Sequence, residues 1–379
     1  MTDKTPATSA DIDGIEIEWD LEVPEVRMAS DDSLATVLLA GRLGTLGARP
    51  LKASEYWSLL KRLGVRMPWR PPPGRGAAAA DGGLDRPGDG PSVLLGKSAG
   101  ELVGDFGVPE GVAGRVEALT ASALSLAFEL ERLEQTGIRT LTAFDEHYPQ
   151  RWLERLGTRA PPLVYGAGAV ELLDTAGLGV VGSRDVSEAG GEVAKEVVRL
   201  AARRGLPLVS GGARGVDQLA MDAAFEAGGA VVGILAESLS RKLKRPDVRR
   251  AVYDGSTVMC TPYSPDAPFS AGNAMGRNKL IYAQAALTVV IASDDGSGGT
   301  WSGATEALKH GFGPVAVWRG DGEGPGNGPL QQRGALPVSS LDDIESLLDD
   351  PPAPVSERTP AVKPDAVGQQ SLFATTPPG

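Results

Sequence analysis

Residues 178–217 read LGVVGSRDVSEAGGEVAKEVVRLAARRGLPLVSGGARGVD, and the alternation inside this stretch decides the fold. Leu178–Val181 is a short continuous apolar run bounded by glycines. Residues 190–204 then place Val193, Val197, Leu200 and Ala201 on one helical face, and Leu206–Val209 forms a second apolar run that ends in a glycine-rich turn. Apolar runs of four or so residues alternating with amphipathic helices indicate parallel strands buried on both faces.

The same beat continues outward. After the turn comes a helix through Leu219–Ala227, then the runs Ala230–Leu235 and Thr257–Cys260, a helix through Leu280–Ala286, the run Leu287–Ala292, a helix around Ala304–His310, and Val315–Trp318. Right-handed crossovers then give an α/β, Rossmann-like, doubly wound and mostly parallel sheet over about 158–340. A small helical region precedes it. Residues 33–70 carry Leu34, Val37 and Leu38, then Tyr56, Leu59, Leu60 and Leu63, at helical spacing. Residues 71–92 form a Pro/Gly linker. Residues 93–157 form a second helical segment with Val116, Leu119, Ala123, Leu126, Leu130 and Leu133 on one face. The ends, 1–32 and 341–379, are expected to be disordered tails, the first acidic and the second acidic and Pro-rich.

In a doubly wound sheet, ligands meet the loops at the carboxyl ends of the strands. Here those loops are Gly182-Ser183-Arg184, then Ser210-Gly211-Gly212-Ala213-Arg214-Gly215-Val216-Asp217. Next comes Met275-Gly276-Arg277-Asn278-Lys279 ahead of a helix, and finally a segment containing Gly298-Gly299-Thr300-Trp301. Glycines let backbone N–H groups approach an oxyanion, helix N-termini add partial positive charge, and arginine offers a planar fork for phosphate. Four such loops at one edge predict a phosphate-bearing partner contacted at several points. Phe269 and Trp301 are candidates for stacking on bases.

Composition narrows the chemistry. The chain has 379 residues, one cysteine (Cys260) and two histidines (His147 and His310), so neither a disulfide framework nor a multi-cysteine zinc site is expected, and no metal or other cofactor is called for. The turn after Leu178–Val181 is not G-x-G-x-x-G, and no Walker A lysine occurs. No serine or cysteine has a histidine partner close in sequence, so the chain reads as non-catalytic. No apolar run is long enough to cross a bilayer and the polar start is no signal peptide, so a cytoplasmic protein without a membrane partner is expected. The formal net charge is −12, but residues 1–32 hold −8 and residues 341–379 hold −5, which leaves +1 for the body. Within the body, 241–250 carries six basic residues and one acid, a local positive patch that can attract phosphates whatever the distant ends carry.

These motifs, in this order, resemble the DNA-processing protein A family (DprA, also called Smf). The shared features are the Gly-Ser-Arg turn at 182–184, the loop Ser210–Asp217 and the triplet Arg277-Asn278-Lys279. Asp145, Tyr148-Pro149 and Pro161-Pro162-Leu163-Val164-Tyr165 resemble the segment that leads into the family's core. The resemblance covers roughly 137–320. It implies a protein that binds single-stranded DNA, aids loading of the RecA recombinase in recombination or transformation, and pairs into a homodimer through the Rossmann domain. Carried over residue by residue, Gly182, Ser183, Arg184, Ser210, Gly211, Gly212, Arg214, Gly215, Arg277, Asn278, Lys279, Gly298, Gly299 and Thr300 would line the DNA site, with Asp217 bracing its loop. The chain departs from the family pattern at Met221, where a histidine is usual, at 236–250, and in the absence of a phenylalanine just before Arg277. It reads as a divergent branch, with no winged-helix pattern after 340. A rival reading is a nucleotide-cleaving enzyme akin to the lysine-decarboxylase-like phosphoribohydrolases. Asp295-Gly296-Ser297-Gly298-Gly299-Thr300 resembles their Pro-Gly-Gly-x-Gly-Thr, but Gly303 stands at the glutamate position and Glu306 falls three residues late.

Overall fold

The computed structural model describes residues 9–12, 15–18, 28–44, 47–65, 67–68 and 90–351. The first described residues pair as an antiparallel hairpin of β1 (Ser9–Ile12) and β2 (Ile15–Glu18); most of the expected acidic tail lies outside the described residues. The helical region consists of α1 (Asp31–Ala40), α2 (Ala53–Arg62), α3 (Ala99–Gly104), α4 (Glu110–Thr120) and α5 (Ala123–Gln135). Residues 71–89, most of the expected linker, lie outside the described residues, as do 352–379.

The core follows as β3 (Arg139–Thr142), α6 (Gln150–Leu156), β4 (Leu163–Gly168), β5 (Gly177–Val181), α7 (Glu188–Arg203), β6 (Leu208–Ser210), α8 (Val216–Glu226) and β7 (Val231–Ile234). The chain continues through α9 (Leu239–Lys242), α10 (Pro246–Tyr253), β8 (Thr257–Thr261), α11 (Ala271–Gln284), β9 (Ala285–Val290), α12 (Gly298–His310), β10 (Val315–Trp318), α13 (Asn327–Gln332), β11 (Leu336–Val338) and α14 (Leu341–Asp349). Among the described residues these strands form a nine-stranded sheet in the order β11-β10-β9-β5-β6-β7-β8-β4-β3. The first seven in that order are mutually parallel, and β4 and β3 close one edge antiparallel, with Tyr165 opposite Thr261 and Thr140 opposite Tyr165. The chain winds outward from β5 through β6, β7 and β8, then returns to β5's other side with β9. The topological switch point therefore lies between β5 and β9.

Neighbouring residues of a strand enter opposite layers, as a period of two requires. Val232, Val258 and Cys260 face one layer, which also holds Tyr56 and Trp57 of α2, Trp152 of α6 and Ile281 of α11. Val231 and Met259 face the other, with Ala194 and Val197 of α7, Ala220 of α8 and Val248 of α10. The helical region thus shares a core with the sheet. Trp57 reinforces the join, its Nε1 donating to Ala160 O at 2.8 Å.

Other assignments also differ from the sequence reading: β3, expected within a helical segment over 93–157, is an edge strand of the sheet. Residues 341–349, expected to start a disordered tail, form α14. Ser340 and Asp343 cap it reciprocally, Ile344 is buried in the α7–α8 layer, and Arg204 of α7 pairs with Asp349. Two of the acids that made the segment look like a tail, Asp342 and Asp343, lie in its first turn, where they favour a helix N-terminus. Arg277-Asn278-Lys279 does not precede a helix either, because α11 begins at Ala271 under a Ser270 cap and the triplet lies well inside it.

Cys260 sits in the middle of β8 with no exposed surface, and burial pushes its thiol up to about 12. A thiol raised in this way stays protonated until the pH approaches that value. A chromogenic disulfide reagent at about pH 8 is therefore expected to label the native chain only at the rate of global unfolding, and fully in denaturant. Labelling of the native protein at the rate of a free thiol would contradict this placement.

Candidate nucleic-acid interface

The loops after β5 and β6 lie against each other through bare main chain. Gly215 has φ +86°, a backbone conformation that L side chains rarely adopt, and a Cβ on it would collide with Ser183 O and fall 2.6 Å from Arg184 Cα. Val216 N donates to Ser183 O at 3.2 Å, and Ser183 N donates to Ala292 O at the end of β9 at 2.8 Å. Three strand ends around the switch point are thereby tied together. Arg214 reaches across the join to Asp185, its Nη2 2.9 Å from Oδ1. Ser293, at the start of the loop after β9, is held from behind by the buried Asn327, whose Oδ1 accepts from Ser293 N at 3.0 Å. The Asn327 Nδ2 donates to Ile291 O and Trp318 O.

Beneath the rim lie two buried opposite charges, Asp217 and Arg277, which act on each other at a distance without forming a salt bridge. Asp217, in the first turn of α8, accepts from Gly211 N at 3.1 Å, and the amides of Ala213 and Gly182 also bond to it. Burial pushes the Asp217 carboxyl up, while Arg277 and those three amides pull it the other way. Arg277 is 4% exposed. Its guanidinium lies under Gly211, where a Cβ would clash with Nη1, and that Nη1 donates to Ile234 O. Burial lowers the Arg277 pKa, and Asp217 opposes that shift.

This arrangement revises part of the phosphate argument. Two amides of the glycine-rich loop, those of Gly211 and Ala213, expected to face an external oxyanion, turn inward to the chain's own carboxylate. Arg277 is part of the floor, not of the exposed lip. Ser210 is buried as well, its hydroxyl donating to Val180 O at 2.8 Å. Lys279 points away from Arg277, as residues two apart on a helix do; it is half-buried near Glu306, and burial lowers its pKa. Asn278 Nδ2 donates to Gly299 O at 3.0 Å, joining α11 to the start of α12. Trp301 is 8% exposed, with the Arg333 guanidinium 5.0 Å from its ring centroid, and this burial leaves no open ring face for a base.

What remains exposed is specific. Arg184 lies on the surface with its guanidinium 5.5 Å above the ring of Phe269, and that ring is itself 52% exposed. Arg214, on the abutting loop, is also exposed. Gly298, Gly299 and Thr300 open α12 with no side-chain cap from Ser297, and α8 likewise starts uncapped at Gly215. The first-turn N–H groups of α12 lie in an exposed glycine segment and have no partner within the helix. The rim thus offers one cation stacked on an aromatic face, a second cation on the neighbouring loop, and a helix N-terminus.

Lys242 is a residue that the sequence reading included in a basic run without assigning it to the site. It is buried on α9 with its Nζ 3.7 Å from Glu237 Oε1, and a Cβ on Gly212 would lie 3.5 Å from that Nζ. Its burial could not be read from a run of six cations, and Asn327 carried no signal at all. Among the described residues no cluster of three His, Cys, Asp or Glu side chains could hold a metal ion, and no helix is long and apolar enough to cross a membrane.

Comparison with known proteins agrees with this topology. The chain is 25% identical over 219 residues to the DNA processing protein DprA of Bacillus subtilis, covering 57% of this chain and 73% of that one. It is 29% identical over 217 residues to protein Smf of Escherichia coli, covering 56% and 57% respectively, so it spans little more than half of that relative's length. The crystal structure of DNA processing protein A from Streptococcus pneumoniae has the same fold, with a TM-score of 0.52 at 21% identity over 78% of this chain and 98% of that one. Residues 139–349, from β3 to the end of α14, match the family model described as DNA recombination-mediator protein A, and the chain belongs to that family.

Proposed function

We propose that the chain binds single-stranded DNA along the switch-point rim, without sequence preference, and acts as a non-catalytic mediator that aids loading of the RecA recombinase. The observation that carries the reading is the exposed Arg184–Phe269 stack beside the uncapped start of α12. An aromatic face next to a cation suits an unpaired base and its phosphate together, whereas a duplex keeps its bases stacked away from such a platform. Phosphate contacts carry no sequence information, so affinity is set by salt more than by sequence. The RecA role and a homodimer through the Rossmann domain rest on the family resemblance.

Binding of a fluorescent oligothymidylate followed by anisotropy tests the DNA reading. Arg184→Ala is expected to weaken it about tenfold and to make the salt slope shallower by about 0.7, the contribution of one phosphate on a single strand. Phe269→Ala is expected to cost ~1–3 kcal/mol with an unchanged salt slope, since stacking releases no counterion. Equal affinity in both variants, with release of free base from a nucleoside monophosphate, would instead favour the nucleotide-cleaving reading.

Arg277→Met separates floor from lip. Loss of the guanidinium removes the bond to Ile234 O and the charge that opposes the burial of Asp217, which is expected to cost about 1–3 kcal/mol. The melting temperature is therefore expected to drop by about 5 °C. At temperatures where the variant is folded, the salt slope is expected to match the parent protein. A stable variant with a shallower slope would place Arg277 on the DNA instead.

The mediator role predicts that sub-stoichiometric protein shortens the lag of RecA's DNA-dependent ATPase on single strands, and that Arg184→Ala abolishes the effect. An unaltered lag would limit the function to DNA binding.

A further inference from the structure

The basic run 241–250 is not absorbed by the rim. Lys242 is buried at the glycine-rich loop, but the remaining cations face solvent along α9 and α10. Arg245 is compensated: its Nη2 lies 2.6 Å from Asp247 Oδ2, with Asp222 and Glu237 also near enough to act on it. Arg241, Lys244, Arg249 and Arg250 are exposed, and none has a carboxylate within 4 Å among the described residues.

The topology sets their direction. β7 ends at the rim, α9 turns there, and α10 then runs back down the β8 side of the sheet, seated by buried Val248 and by Val252 against Gly168 of β4. Eight helical residues cover roughly 12 Å. Arg249 and Arg250 stand four and three residues before Tyr253, so all three share the outer face of α10. Tyr253 is 90% exposed, the most exposed of the large apolar side chains among the described residues. A single exposed aromatic is ordinary on a protein surface. One flanked by two uncompensated guanidinium groups on the same helix face combines the two elements of a single-strand groove, a stacking plane and a backbone track.

We infer that the outer face of α10, through Arg249, Arg250 and Tyr253, is a second binding surface for single-stranded nucleic acid, leading the strand from the rim past Arg241 and Lys244 and down the side of the sheet. The inference rests on the rim reading for the first contact, and adds that the strand's path is longer than the rim itself. A short oligonucleotide is held by the rim alone, while a long one engages both surfaces and gains affinity by the local concentration of its second half.

The experiment compares the full chain with Arg249→Glu/Arg250→Glu, Tyr253→Ala and Arg184→Ala, using fluorescent oligothymidylates of about 8 and about 30 nucleotides at several salt concentrations. For the double variant, affinity for the long strand is expected to fall about tenfold and the salt slope to become shallower by about 1.4, two phosphates' worth, with short-strand affinity unchanged. Tyr253→Ala is expected to weaken only the long strand, and Arg249→Lys/Arg250→Lys to retain its salt slope. All the changed side chains are exposed, and an unchanged melting temperature confirms the fold. Long-strand affinity and slope equal to the parent protein's would overturn the second surface, as would an equal loss on both lengths, which would merge α10 with the first site. If Arg184→Ala binds both lengths as the parent does, the rim reading fails instead, whatever the α10 variants do.

Discussion

The buried pair of Asp217 and Arg277 is the constraint around which the rest of the site is arranged. Neither group is solvated, so each depends on the other and on fixed dipoles: three amides for the carboxylate, and the Ile234 carbonyl for the guanidinium. Arg277 Nε is buried without a hydrogen-bond partner, so Ile234 O and the field of Asp217 hold the guanidinium, and the amides drawn to Asp217 fix the glycine-rich loop from inside. Gly211 must lack a side chain because the guanidinium occupies that space, and Gly212, with φ +65°, supplies the left-handed turn that aims neighbouring amides inward. A loop whose composition suits an external anion is in this chain folded around an internal one.

The exposed chemistry is displaced outward as a consequence. The cations left for a partner are those the floor does not use, Arg184 and Arg214 on the lip and the unpaired members of the 241–250 run beyond it. The helix N-termini at the rim differ in the same way. α7 and α11 are closed by Ser187 and Ser270, whereas α8 and α12 are not, and α12 presents its first amides in an exposed glycine segment. Charge, amides and the Phe269 ring then share one edge of the sheet, although the body of the chain is almost neutral.

Much of the fold was legible because buried parallel strands are nearly pure apolar runs. Leu178–Val181, Thr257–Cys260 and Val315–Trp318 could be read directly, and β5 to β10 fall where the alternation placed them. β3 and β4 escaped because Arg139–Thr142 is half polar and Leu163–Gly168 is interrupted and ended by glycines, so neither repeats the pattern of the central strands. α14 escaped because its acids were counted as tail composition although Leu341, Ile344, Leu347 and Leu348 hold helical spacing. At the site, residue type was readable and depth was not. Arg184 and Arg277 look alike in a sequence, but one lies on an exposed ring and the other under a glycine backbone. Phe269 and Trp301 each lie beside a guanidinium and are separated in the same way, by depth: the first ring is open to solvent and the second is buried.

The abutting backbones at Gly215 and Ser183 have a kinetic consequence. Two loops that meet main chain to main chain cannot part without breaking the Val216–Ser183 hydrogen bond and opening a contact that no side chain could refill. A partner that required the loops apart would have to break that contact first, which slows its association, whereas one that fits the lip as it stands meets no such barrier.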